Sequence, residues 1–293
     1  MIVTLKNHLL TVQIEDVGAQ LCSVQSTTGT EYIWKAAPAI WGRHAPLLFP
    51  IIGRLKDSQY TLDGKTYTIP THGFARDSKF EVVDQGEASV SFQLTDRPET
   101  RAVYPFAFVL TVTYTLQDNR LIKSCRVENR SEGVMYYELG GHDGFTAPLE
   151  AGEVMDDYAI LLPGVAALKP YGMDPDTFMT TPKGRVIPLE EGRICLKPAV
   201  YGLDTIILGD LPQRRAVLAD KAGRPRVTVD FPDFPYLGLW TQGKPFDTNY
   251  VCIEPWSTLP DATFVGRGLD EKAGIRSLAP GGSERLTYTT TFD

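Results

Sequence analysis

The feature that most constrains this chain is the recurrence of short segments in which apolar and polar residues alternate, with almost no helical pattern to compete. Segments 9–14, 89–94, 108–116, 120–128, 226–231 and 285–292 carry β-branched or aromatic side chains at period two. In an extended chain that spacing gathers one set of side chains on one face, so each segment reads as a strand with one side buried. Turn-forming residues separate the segments at short intervals. Asp63-Gly64 stands between 59–62 and 65–69 and suits a type I′ turn, which needs positive φ at both central residues. Segments 79–84 and 88–95 form a second strand pair around Gln85-Gly86-Glu87. Residues 97–103 read as one or two helical turns, and no apolar stripe lasts about three turns of helix. Many strands without helices imply a sandwich or barrel. The expected fold is all-β: a large antiparallel β-sandwich with few short helices.

The 293 residues show no fixed repeat, no low-complexity tract and no Pro/Gly-rich linker. One domain over 1–293 is therefore expected, long enough to bury a core unaided. A net charge of −7 opposes binding to phosphate backbones and to anionic membranes. Cys22, Cys125, Cys195 and Cys252 are widely spaced and form no C-x-x-C, which reads as reduced, mostly buried thiols. The N-terminus lacks a signal-peptide pattern, and no run reaches the ~20 apolar residues of a membrane span. A cytoplasmic protein with neither nucleic-acid nor membrane partners is expected.

Four segments carry candidate chemistry. His72 in PTHGFARD and His142 in LGGHDGF are flanked by glycines, which permit close backbone approach, and are followed by Phe74 and Phe145. Glu254 ends an apolar run in VCIEPW beside Trp256, where desolvation would raise its pKa toward service as a base. Arg54 emerges from FPIIGRLK and needs acceptors, either a carboxylate or ligand hydroxyls. Phe74, Phe145 and Trp256 are candidates for a pocket wall, and Trp41, Arg43 and His44 for its rim. Each has a plainer reading. His72 and His142 serve as well as satisfied loop histidines, Glu254 as a surface carboxylate, Arg54 as an ion-pair partner, and the aromatics as core. The four histidines make no metal-binding spacing, so no metal is expected.

Together these segments resemble the aldose 1-epimerase (galactose mutarotase) family, especially its LacX-like branch. The resemblance rests on FPIIGRLKD, YTLDGKTYTIPTHGFARD, YPFAFVLTVTYTL, GGHDGFTAP, VCIEPW and KAGIRSLAPGGSERLTY, in the family's order. It implies a galactose mutarotase-like supersandwich and cofactor-free interconversion of the α and β anomers of a free aldose of the galactose or glucose type. It implies Glu254 as general base, His142 as general acid, and His72, Arg54 and Asp204 as sugar-binding residues. The partner implied is a monosaccharide, and the chain is expected to be a monomer or homodimer. Asp143 stands where the family often has Pro, bringing a further carboxylate toward the site. Two alternatives stay open: a hexose-6-phosphate 1-epimerase gripping phosphate through Arg43, Arg54 and Arg76, and a non-catalytic carbohydrate-binding protein on the same fold.

Overall fold

The computed structural model describes residues 1–174, 176–197, 205–242, 248–262 and 266–293. The alternating segments become strands within one or two residues of their expected bounds: Leu10–Glu15, Ser89–Thr95, Phe108–Gln117, Arg120–Asn129, Pro225–Asp230 and Ser283–Phe292. Along Phe108–Gln117 the buried residues are Phe108, Leu110, Val112, Tyr114 and Leu116, the period-two set. The hairpin joins Gln59–Leu62 to Lys65–Thr68, with φ of 49° at Asp63 and 73° at Gly64, both positive as its turn requires. Pro98–Val103 is the one α-helix among the described residues.

Two antiparallel sheets dominate the described residues. The larger has nine strands in the order Arg193–Cys195, Ala159–Leu161, Arg215–Ala219, Pro225–Asp230, Ser283–Phe292, Arg120–Asn129, Phe108–Gln117, Ser89–Thr95 and Glu81–Gln85. The second runs Ile206–Gly209, Tyr236–Trp240, Tyr250–Trp256, Gly140–Gly141 and Leu47–Leu48, with Asp143–Thr146 also paired to Tyr250–Trp256. A three-stranded sheet of Ile2–Lys6, Leu10–Glu15 and Gln20–Ser26 completes the N-terminal part. The two large sheets pack face to face, and one buried cluster takes Val112, Leu121 and Leu286 from the first and Leu237, Val251 and Ile253 from the second. The other face of the second sheet carries the site.

No helix among the described residues is long and apolar enough to cross a membrane. All four cysteines are free. Cys125 and Cys252 are buried, whereas Cys22 and Cys195 are partly exposed, so burial is less general than the sequence implied.

Candidate functional site

The strand Tyr250–Trp256 supplies the floor, and all seven of its residues are buried. Alternation divides them. Val251 and Ile253 enter the core between the sheets, while Tyr250 and Cys252 pack with Trp34, Trp41 and Trp240 on the opposite face. Glu254 and Trp256 continue that second face and line a cleft of about 470 Å³. The volume suits a small-molecule site.

His142 follows Gly140–Gly141, which is wedged between Leu47–Leu48 and Trp256. Its Nε2 lies 3.4 Å from Glu254 Oε2. The rings of Trp41 and Trp240 flank the imidazole at 5.1 and 5.4 Å between centroids, and His72 meets it edge-on at 5.5 Å. His72 has φ of 64°, a left-handed conformation uncommon outside glycine. Its Nδ1 accepts the Gly53 backbone N–H at 3.0 Å, leaving the ring proton on Nε2. A Cβ at Gly73, also at positive φ, would overlap the Phe49 carbonyl, so the HGF turn requires glycine there. Arg54 lies over the Phe178 ring at 4.3 Å. Its loop is braced from behind: Ile52 N–H donates to Glu138 Oε2 at 2.6 Å and Lys56 N–H to Asp261 Oδ2 at 3.0 Å. The buried Lys272 Nζ joins those two carboxylates at 2.6 and 3.4 Å.

The pair at the floor is electrostatically displaced. Burial pushes the Glu254 carboxyl well above its usual range, with Asp143 adding to the rise and the Trp256 indole opposing it. Burial also pulls His142 down to about 3, aided by the positive charges of Arg76 and Arg43. His72 is lowered by burial, then by His142 and the three arginines Arg76, Arg43 and Arg54. Among the described residues, neither Glu254 oxygen nor His142 Nδ1 meets a partner in hydrogen-bond geometry. Burial thus favours an uncharged pair holding one proton between two adjacent heavy atoms.

The structure brings His142, Glu254, His72, Arg54 and Trp256 into one cleft, with Trp41 and Arg43 at its wall. Asp204 lies outside the described residues. Phe145 and Phe74 are not in the wall. Phe145 shares the parity of Asp143 and therefore faces the core, where it is fully buried. Phe74 packs in an aromatic group with Phe49, Tyr104 and Phe108. Asp143 also turns away from the cleft, accepting the Tyr288 hydroxyl at 2.7 Å and facing Lys123 Nζ at 3.6 Å. His44 does not line the cleft; its Nδ1 lies 2.7 Å from the Trp34 carbonyl. Trp240, Phe178 and Met173 line the cleft without having been expected there. Trp240 had a signal in the alternating YLGLW run, whose register sets Gly238 opposite Glu254. Phe178 lies outside any strand and had none.

Among the described residues, His142, Cys252 and Glu254 offer three metal-ligand atoms within 4.8 Å of one another. Burial raises both the Cys252 thiol and the Glu254 carboxyl, keeping each toward its protonated form, and protonated donors are poor ligands.

Comparison with known proteins agrees with this fold. The family model described as aldose 1-epimerase matches residues 1–275. The chain is 32% identical to the chromosomal protein LacX of Lactococcus lactis subsp. lactis, over 100% of this chain and 99% of that one. A galactose mutarotase related enzyme from Lactobacillus acidophilus superposes with a TM-score of 0.93 at 36% identity, covering 100% and 97% of the two chains. A galactose mutarotase-like protein from Lactobacillus casei ATCC 334 gives 0.92 at 31% identity over the full length of both. An all-β supersandwich, a cleft floored by an imidazole and a carboxylate, and a match over most of the sequence lead to one assignment: the chain belongs to the aldose 1-epimerase family.

Proposed function

We propose that the protein interconverts the α and β anomers of an aldose by acid–base ring opening at His142 and Glu254. The observation that carries this reading is the 3.4 Å approach of His142 Nε2 to Glu254 Oε2 at the floor of a sugar-sized cleft. The two oxygens involved, the anomeric hydroxyl O1 and the ring oxygen O5, are bonded to the same carbon. An acid and a base that serve them must therefore be neighbours.

The shared proton first passes from Glu254 to His142; the carboxylate then takes the O1 proton while the imidazolium protonates O5. The C1–O5 bond breaks, C1–O1 becomes a carbonyl, and the open chain turns about C1–C2. The O5 hydroxyl then attacks the opposite face of C1, returning its proton to His142 as Glu254 gives one back to O1. The two roles reverse on closure, so a pair that shares one proton serves both directions. His72 Nε2–H and Arg54 hold the non-reacting hydroxyls, and Asp204 is proposed to join them. Trp41, Trp240 and Trp256 offer apolar faces to the sugar and keep the proton transfers away from bulk water.

The test is anomer exchange of glucose and galactose followed by NMR. Each transfer is typically worth about 10²–10⁴-fold, so Glu254→Gln and His142→Asn should each lose about that factor while keeping wild-type circular dichroism. Sugar binding without faster exchange in the wild type would instead make the protein a carbohydrate binder.

A further inference from the structure

Lys272 is a buried cation that the acid–base chemistry above does not use. Its side chain is 5% exposed, and its Nζ lies 2.6 Å from Glu138 Oε1 and 3.4 Å from Asp261 Oδ1. A buried ion cluster is often no more stabilising than apolar side chains of equal volume. What this one adds is direction. Each carboxylate turns one oxygen to Lys272 and the other to a backbone N–H of the loop after Leu47–Leu48: Glu138 Oε2 to Ile52 and Asp261 Oδ2 to Lys56. Those two N–H groups bracket Gly53 and Arg54. The Asp261 backbone adds two more ties. Its N–H donates to the Arg54 carbonyl at 3.4 Å, and its carbonyl accepts the Thr180 N–H at 2.6 Å, two residues from Phe178. Gly53 in turn donates to His72 Nδ1 and accepts the His72 N–H at 2.8 Å. His72, Arg54 and Phe178 all line the cleft, whereas Lys272, Glu138 and Asp261 stand behind it.

We propose that Lys272 is a positioning residue for sugar binding, acting through Glu138 and Asp261 to fix the wall of the cleft that His72, Arg54 and Phe178 form. This rests on the reading above, in which His72 and Arg54 hold the non-reacting hydroxyls. Charge-assisted hydrogen bonds are shorter and stronger than neutral ones, so a carboxylate with one oxygen held by an ammonium presents the other in a fixed direction. A sugar gains affinity from a wall already in place, because no further ordering of that wall is needed on binding. The reacting pair is held separately. The sheet ladder sets Gly140 opposite Trp256 and Asp143 opposite Ile253, which fixes His142 and Glu254 relative to each other. Loss of the brace therefore weakens binding and leaves the proton transfers in place.

Anomer-exchange kinetics of glucose and galactose across a range of sugar concentration test this. Lys272→Met should raise KM by about tenfold while kcat stays within about threefold of wild type, the pattern of lost uniform binding. Asp261→Ala leaves Lys272 paired with Glu138 and should show the same split, which keeps the test open if Lys272→Met fails to fold. A double-variant cycle traces the route. In an Arg54→Met background the effect of Asp261→Ala on KM should shrink to less than about threefold, because the side chain it positions has gone. Wild-type KM in both Lys272→Met and Asp261→Ala, a fall in kcat alone, or an Asp261→Ala effect undiminished without the Arg54 guanidinium overturns the positioning proposal and leaves the epimerase reading standing. Wild-type protein that binds either sugar without speeding exchange overturns the epimerase reading instead, and the same variants then decide the positioning proposal by their Kd. Neither binding nor exchange in the wild type overturns both.

Discussion

His142 and Asp143 are covalent neighbours on opposite faces of one sheet, and their surroundings differ in a way that separates function from support. On the core side Asp143 has partners, a hydrogen bond from Tyr288 and the Lys123 ammonium. Burial works to lower Lys123, but Asp143 and then the tyrosines Tyr114 and Tyr288 outweigh it and hold the ammonium charged. On the cleft side His142 and Glu254 are also buried, yet neither has a Lys or Arg within ion-pair distance among the described residues, and burial, opposed at Glu254 by the Trp256 indole, drives the pair toward neutrality. A buried charge is tolerated when compensated. A buried acid–base pair left without compensation is what a site needs if its proton is to move to a ligand. The contrast has consequences for stability that run opposite on the two faces.

The largest stability effect is expected on the core side. Lys123→Met strands the Asp143 carboxylate and should cost about 3–5 kcal/mol in urea denaturation, much of which Lys123→Met with Asp143→Leu should recover. Glu254→Gln, by removing an uncompensated carboxyl, should match or exceed the wild-type midpoint. An equal loss in both single variants would erase the contrast.

The pH dependence sharpens it. His142 titrates near 3 in the folded protein and near 6.5 when unfolded, so between those values the unfolded chain binds more protons. Stability should therefore fall as pH drops from 6.5 toward 3, by up to about 1.4 kcal/mol per pH unit from this group. Glu254 works in the opposite sense: its folded value lies above 4.5, so its contribution falls as pH rises past 4.5. Denaturation midpoints across pH should show the acid slope reduced in His142→Gln and the slope above pH 4.5 reduced in Glu254→Gln.

The smallest effect concerns the glycine that lets the two faces approach. A Cβ at Gly141 would overlap the Tyr288 hydroxyl that Asp143 accepts. Gly141→Ala should cost about 1–3 kcal/mol by overpacking, read as a lower melting temperature. A neutral result would mean that Tyr288 shifts aside without loss.

Much of this was legible in the sequence, for a physical reason. A strand buried on one face writes its alternation directly into the residues, which is why Phe108–Gln117 and Ser283–Phe292 fall where the pattern puts them. His72, His142 and Glu254 stood out because each is a titratable group set among glycines or apolar neighbours. Which face a residue takes is harder to read. A one-residue change of register exchanges the two faces. Strand Asp143–Thr146 is only four residues long and follows two glycines, so nothing local marks Asp143 and Phe145 as core-facing. Phe178 and Met173 reach the cleft from a region of long connections and two-residue strands, where no periodicity exists to be read.

If His142 and Glu254 share one proton and act as a unit, removing both should cost about as much as removing either. The decisive measurement is the anomer-exchange rate of His142→Asn with Glu254→Gln beside each single variant. A double variant within a few-fold of the slower single variant is the predicted result, since residues acting as a unit are strongly non-additive. Losses that multiply, or a single variant that keeps more than about a tenth of wild-type activity against a typical loss of about 10²–10⁴-fold, would contradict the shared-proton pair.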